Sequence, residues 1–214
     1  MINKIKLSFS LVSIIVIWLF HLSGAFGIIY GNSDWFISAT PLNLIISLVL
    51  LLLNSTDSNK IIMVACISFI IGMLTEILGV NYGLIFGSYI YGEALGPKFL
   101  GVPILIGYNW AMVVIITASI AQKIFKKPFA RILTGVILML ILDLLMEPVA
   151  PSLGFWEFDS GKAPVQNYIG WVSVALPLHL VYHKLKIKKN NSFSNHLYFL
   201  QIFFFVLLLI KFKS

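Results

Sequence analysis

Charge is scarce in this sequence, and negative charge is scarcest: eight Asp and Glu stand against fifteen Lys and Arg in 214 residues. With only 11% charged residues, 59% hydrophobic residues and a mean hydropathy of +0.98, the chain lies outside the soluble globular range. Cysteine is nearly missing too, and the single Cys66 excludes an intramolecular disulfide and a cysteine metal cluster. No internal repeat or low-complexity tract is evident, which tells against a transporter built from inverted halves. Of the four histidines only His179 and His183 have the spacing of a helical metal pair, and they fall toward the leaflet opposite the acids discussed below. No metal and no organic cofactor is expected. The formal charge of +7 would suggest nucleic acid in a soluble chain, but here the bases lie between apolar runs and no nucleic-acid partner is expected.

What fills the chain instead is long apolar segments, over 8–30, 39–53, 61–80, 101–121, 130–150, 169–183 and 196–212. Several match the roughly 20 residues that cross a bilayer. The expected fold is all-α, a polytopic integral membrane bundle of about seven transmembrane helices forming a single domain over 1–214. The second segment is short, with a start nearer Phe36. The first reads as a retained span, because it is longer than a leader and lacks a clean small-x-small cleavage site. Lys4, Lys6, Lys60, Lys123, Lys126, Lys127, Arg131, Lys184, Lys186, Lys188 and Lys189 fall on one side, against Lys98, Lys162, Lys211 and Lys213 on the other. That bias makes the N-terminus cytoplasmic in a multi-pass protein of the cell inner membrane. The stretch 190–195 is a polar joint, and the last segment reads mostly as lipid-facing packing.

Three of the eight acids break the apolar pattern: Glu76, Asp143 and Glu147 lie inside membrane segments. An ionisable group at the bilayer centre costs roughly 2.5–3.5 kcal/mol on insertion scales, so these face a protein-lined cavity and do chemistry or binding there. The topology puts all three toward the outer side, with Asp143 and Glu147 one turn apart on one helical face. Each has a plainer reading: Glu147 as a snorkelling helix-terminus group, Asp143 bonded across the bundle to a Ser, Tyr or Asn, and Glu76 paired with Lys98.

Both loops after these acids open on the same side. The first, rich in glycine from Gly79 to Gly101, carries Tyr82, Phe86, Tyr89 and Tyr91 as a semi-buried roof over an apolar cavity. Pro103 then opens a helix bearing Asn109 and Trp110. In the second loop Pro148 ends or kinks the helix just after Glu147. Phe155, Trp156, Phe158, Tyr168 and Trp171 follow, a set able to pack a lid or to face a cation with electron-rich rings, with Asn167 among them. The expected substrate-binding set is Tyr82, Phe86, Tyr89, Tyr91, Asn109, Trp110, Trp156, Asn167 and Trp171.

Over residues 70–175 these pieces, in order, resemble a family. They are Glu76-Ile-Leu-Gly, Phe86-Gly-Ser-Tyr-Ile-Tyr, Leu95-Gly-Pro with Gly101-Val-Pro, Asn109-Trp110, Asp143, Glu147-Pro-Val-Ala150, Gly154-Phe-Trp156 and Asn167-Tyr-Ile-Gly-Trp171. The pattern is similar to the carotenoid biosynthesis membrane proteins of bacteria and archaea, which include carotenoid hydratases. The resemblance implies addition of water across a terminal isoprene double bond to give a tertiary hydroxyl. It also implies a carotenoid or other long isoprenoid lipid as substrate, and membrane lipids and enzymes of the same pathway as neighbours. One position departs from the pattern: Glu157 follows Trp156 where relatives carry a second aromatic, and Phe158 takes that place.

The residues suit this chemistry in their own right. Hydrating an alkene needs a proton donor, a cavity that tolerates a tertiary carbocation, and a water with a base. Carboxyl groups close together in apolar surroundings share protons, so one can donate while another orients the water. Asp143 or Glu147 is the expected acid and Glu76 the base, with the reverse assignment open. The alternatives are another acid-initiated isoprenoid cyclase or isomerase, a small proton-coupled transporter, and a lipid-binding scaffold.

Overall fold

Where water is absent, a crossing segment must satisfy its own backbone hydrogen bonds, so the apolar runs fold as helices. The computed structural model describes residues 2–188 and 192–213, with side chains for 9–188 and 192–212. Lys189 and Asn190, and the side chains of Lys4, Lys6 and Lys213, lie outside the described residues. In chain order the helices are α1 (Ile2–Tyr30), α2 (Ser33–Ser38), α3 (Thr40–Leu53), α4 (Ser58–Tyr82), α5 (Ile104–Ile124), α6 (Pro128–Met146), α7 (Val165–Lys184) and α8 (Phe193–Lys213). The expected second span is a broken one. Asn32 caps α2 by accepting from the Trp35 backbone N–H at 3.2 Å, and Pro41 in the first turn of α3 restarts the helix.

Six stretches are long and apolar enough to cross a membrane: Phe9–Tyr30, Ser33–Leu53, Ser58–Tyr82, Ile104–Ile124, Pro128–Met146 and Phe193–Phe212. Helix α7 has the length but is more polar, and Pro177 lies within it. Its buried residues Asn167, Gly170, Trp171, Val174, Ala175, Leu178, His179 and Tyr182 form one stripe at helical spacing, turned toward α4, α5 and α6. The bundle thus has six to seven spans.

Helix α5 is the axle. Its span is 78% buried, against 17–39% for the other five, and it packs on α3, α4, α6, α7 and α8. The last helix adds to the sequence reading. Most of its span faces outward, with 39% buried, but α8 also buries Phe193, Ser194, Leu197, Leu200, Gln201 and Leu208 against α1, α5 and α6. Its hydropathy alone could not distinguish a lipid contact from a helix contact.

The loops at one end of the bundle hold all the strands among the described residues, β1 (Tyr89–Tyr91), β2 (Lys98–Phe99), β3 (Val102–Pro103) and β4 (Trp156–Phe158), and a 3₁₀ turn at Pro151–Leu153. β1 pairs antiparallel with β4, matching Tyr89 with Phe158, Ile90 with Glu157 and Tyr91 with Trp156. Side chains alternate across a strand, so Tyr89, Tyr91 and Phe158 turn into the bundle while Ile90 and Glu157 turn out. This two-stranded ribbon roofs the site.

Candidate active site

Glu76 stands on the inner face of α4 between Gly72 and Gly79, which share that face at helical spacing. The glycines are clearings. A Cβ on Gly72 would lie 2.5 Å from Cγ of Trp110, and one on Gly79 would lie 2.6 Å from the Tyr89 hydroxyl. Through these gaps a ring from α5 and a phenol from β1 reach the carboxylate. Tyr89 donates to Glu76 Oε2 at 2.5 Å, Tyr91 donates to the same oxygen at 2.7 Å, and Trp110 Nε1 donates to Oε1 at 2.9 Å. Every one of these partners is a donor, which is the environment an acceptor-only carboxylate fills. Burial, and then the facing Glu76 carboxylate, push both phenols up from their ordinary range, so both keep the protons they donate.

Asp143 and Glu147 come from the end of α6. Its inner stripe of Gly135, Val136, Met139, Leu142 and Met146 carries Asp143 inward, and Glu147 caps the helix just before Pro148 stops it. Asn167, in the first turn of α7, joins the pair: its Nδ2 donates to Asp143 Oδ2 at 3.2 Å and to Glu147 Oε1 at 3.0 Å. Trp156 Nε1 on β4 donates to Glu147 Oε2 at 3.0 Å. Asp143 Oδ1 finds no donor among the described residues. A proton held between two such neighbouring carboxyl groups is what would satisfy it. The plain reading of Asp143 as bonded to an Asn across the bundle therefore holds, but the same Asn holds a second acid.

The ribbon ties the two groups of acids together. Tyr91 on β1 serves Glu76, and its cross-strand neighbour Trp156 serves Glu147. Glu76 does not pair with Lys98. That ammonium instead donates to Glu93 Oε1 and to the Tyr91 carbonyl, both at 2.7 Å.

Two spaces adjoin this cluster. A polar pocket of about 30 Å³ is lined by Glu76, Tyr91, Asn109, Glu147, Trp156 and Asn167, among others. One water needs about 10–15 Å³ on this measure, so the pocket holds one or two. Next to it lies an apolar cavity of about 530 Å³ between α1, α2, α3, α5 and α8, within the range of about 300–1,000 Å³ usual for ligand sites. Ile106, Asn109, Met146 and Trp156 line both.

Of the expected binding residues, Phe86, Tyr89, Tyr91, Asn109, Trp110, Trp156, Asn167 and Trp171 all line the polar pocket. Trp171 stacks on Trp110 with ring centroids 4.5 Å apart. Tyr82 is not brought in: at the end of α4 it is 72% exposed and lines neither space. Asn109 makes no interhelical hydrogen bond among the described residues. Phe158 does stand inside, while Glu157 points away. The sequence pointed to an apolar cavity beneath the first loop but not to its wall, which is built from Phe20, His21, Gly24, Phe36, Phe204 and neighbours.

Among the described residues no group of three or more His, Cys, Asp and Glu side chains is placed to hold a metal ion. His179 bonds Thr117 across the bundle at 3.0 Å, Trp18 donates to His196 at 3.2 Å, and His21 reaches only the Ile17 carbonyl of its own helix.

No solved structure matches the chain. A curated relative, bisanhydrobacterioruberin hydratase of Haloarcula japonica, is 28% identical over 109 residues, covering 45% of this chain and 36% of that protein. The match thus spans about a third of the relative's length. A family model described as carotenoid biosynthesis protein matches residues 37–213, which take in α3, all three acids, the ribbon and α8. By that match, over more than half of its length, the chain belongs to the carotenoid biosynthesis protein family.

Proposed function

We propose that the chain is a carotenoid hydratase that adds water across a terminal isoprene double bond without a cofactor. The observation that carries this reading is the pairing of spaces: a pocket the size of one or two waters, with Glu76 and Glu147 in its wall, adjoins an apolar cavity that can take an isoprenoid end. A hydratase needs both, in contact. The relative's name, a hydratase of a long isoprenoid, points the same way.

In the proposed reaction the Asp143–Glu147 pair, sharing a proton, protonates the less substituted alkene carbon. The π electrons form the new C–H bond and leave a tertiary carbocation facing the rings of Trp156 and Tyr91. A water in the polar pocket donates a lone pair to the cation and loses a proton to Glu76, which its three donors keep oriented as acceptor. The product is a tertiary alcohol, and the proton returns to the pair to close the cycle. Asn167 holds the two acids in register and Asn109 lies where water and alkene meet.

The test is expression in a host that accumulates lycopene or gamma-carotene, beside Asp143→Asn, Glu147→Gln and Glu76→Gln, with mass analysis of the extracted pigments. The expected result is a gain of one water per modified end, lost in the variants although each is still present in the membrane. Pigments of altered retention but unchanged mass would replace hydration by cyclisation or isomerisation.

A further inference from the structure

The polar pocket and the apolar cavity meet at four residues, and three of these can do little for a water. Ile106 and Met146 are apolar, and Trp156 has spent its one N–H on Glu147 Oε2. The fourth is Asn109. It stands on the same face of α5 as Ile106, one turn on, and next to Trp110, the residue that serves Glu76 Oε1. It is half-buried where Ile106, Gly107, Trp110 and Ala111 are buried. Its carboxamide makes no hydrogen bond among the described residues, and neither Oδ1 nor Nδ2 is shut away from open space.

The other donors of the polar pocket are almost all committed to the acids. Tyr89, Tyr91 and Trp110 donate to Glu76, Trp156 donates to Glu147, and the Asn167 amide divides its two protons between Asp143 and Glu147. Among the lining side chains that leaves the Trp171 N–H, which borders the polar pocket alone, and Asn109, which has a donor and an acceptor both unused. The two phenols fill the acceptor sites of Glu76 Oε2, whereas Oε1, bonded once, keeps a site open. A water in a protein interior makes about three hydrogen bonds. One that donates to Glu76 Oε1 and to Asn109 Oδ1 keeps a lone pair free, and Asn109 fixes it at the border with the apolar cavity.

We propose that Asn109 decides the fate of the carbocation: its carboxamide holds the attacking water at the passage between the two spaces, and an apolar residue there would leave an alkene isomerase. The inference rests on the hydratase reading and names the residue on which water capture depends. With the water held, its oxygen forms the C–O bond and its proton goes to Glu76. Without it, the cation returns a proton from a flanking CH3 or CH2 to the carboxylate of the Asp143–Glu147 pair, and the C–H electrons reform a π bond. The pigment then leaves with its mass unchanged, either as substrate or with the double bond moved. Protonation is common to both outcomes, so the Asn109 role is separable from that of the acids.

Heavy water separates the two steps. Membranes that hold the full chain and lycopene are washed into deuterated buffer, and the extracted pigments are analysed by mass. Deuterium delivered to the alkene carbon stays there through extraction, so label in unhydrated pigment counts cations formed but not captured. Wild type should give mainly hydrated pigment. In Asn109→Leu, hydration should fall about tenfold or more, the worth of about one hydrogen bond in an apolar site, while label accumulates in the unhydrated pigment. Asn109→Ser, whose hydroxyl can bond the same water, should lie between the two. Unchanged hydration in the leucine variant overturns the inference. So does joint loss of hydration and label in a variant present in the membrane, because Asn109 then serves the acid or the fold, and this result spares the hydratase reading. If the leucine variant is missing from the membrane, Asn109→Val decides by the same ratio. A wild type that yields neither signal, or label without hydration, overturns the hydratase reading itself and the water-holding role with it.

Discussion

Tyr91→Phe and Tyr89→Phe together test how Glu76 is held. Both hydroxyls donate to the same oxygen, Oε2, at 2.7 and 2.5 Å, while Oε1 is served separately by Trp110. Removing either hydroxyl leaves the ring in place, since Tyr91 is also fixed by the ribbon and by Lys98 at its carbonyl. Oε2 keeps one donor in each single variant, so each should cost about 1 kcal/mol, the net value of one hydrogen bond. The double variant leaves Oε2 buried with no donor, and the desolvation of that oxygen, about 1–3 kcal/mol, is felt in full. The double loss should therefore exceed the sum of the singles by about 1–2 kcal/mol, a coupling outside the scatter of about 0.3–0.5 kcal/mol for independent sites. The measurement is a four-member unfolding series in one detergent, wild type, two singles and the double. Strict additivity, or singles indistinguishable from wild type, would refute the view that the two phenols share one carboxylate oxygen.

Gly72→Ala should displace Trp110, whose Cγ lies 2.5 Å from the new methyl group, at a cost of about 1–3 kcal/mol, visible as a change in tryptophan fluorescence and in unfolding. Asn167→Ala removes the one group that bonds both Asp143 and Glu147, and pigment conversion should fall about tenfold or more while the bundle stays folded by thermal unfolding. Glu93→Gln breaks the exposed Lys98 pair and should change neither stability nor conversion measurably, because Glu93 keeps 90% of its side-chain exposure.

The helices were legible because each is a local fact: a run of apolar residues of membrane length with Pro or Gly at its edges. The three acids were legible as misfits in such runs, and their common side followed from counting crossings. Three features were not. The ribbon joins two three-residue strands 65 or more positions apart, Tyr89-Ile-Tyr91 and Trp156-Glu-Phe158, and alternation over three residues is too short to separate from chance. Tyr82 shares a loop and an aromatic ring with Tyr89 but stands on the wrong side of the end of α4, which sequence spacing across a turn at Gly83 does not fix. The wall of the cavity was hidden for a different reason. Phe20, Gly24, Phe204 and Phe205 have the same composition whether they face lipid, a helix or an empty space, and only packing distinguishes the three.

The hydrogen bonds of the acids also set an order of events during synthesis. Each carboxyl group's side-chain partners lie later in the chain: 13, 15 and 34 residues after Glu76, 24 after Asp143, and 9 and 20 after Glu147. Helix α4 must therefore enter the bilayer with its carboxyl group unsatisfied, at roughly 2.5–3.5 kcal/mol on insertion scales, carried by the apolar length of its 25 residues. Its debt is met only when the first loop and α5 arrive; the roof closes once β4 has emerged to pair with β1, and Asn167 on α7 joins the acids after that. A nascent chain halted before β4 holds acids without a roof, so the cluster is covered only when six helical stretches, α1 to α6, have already been made.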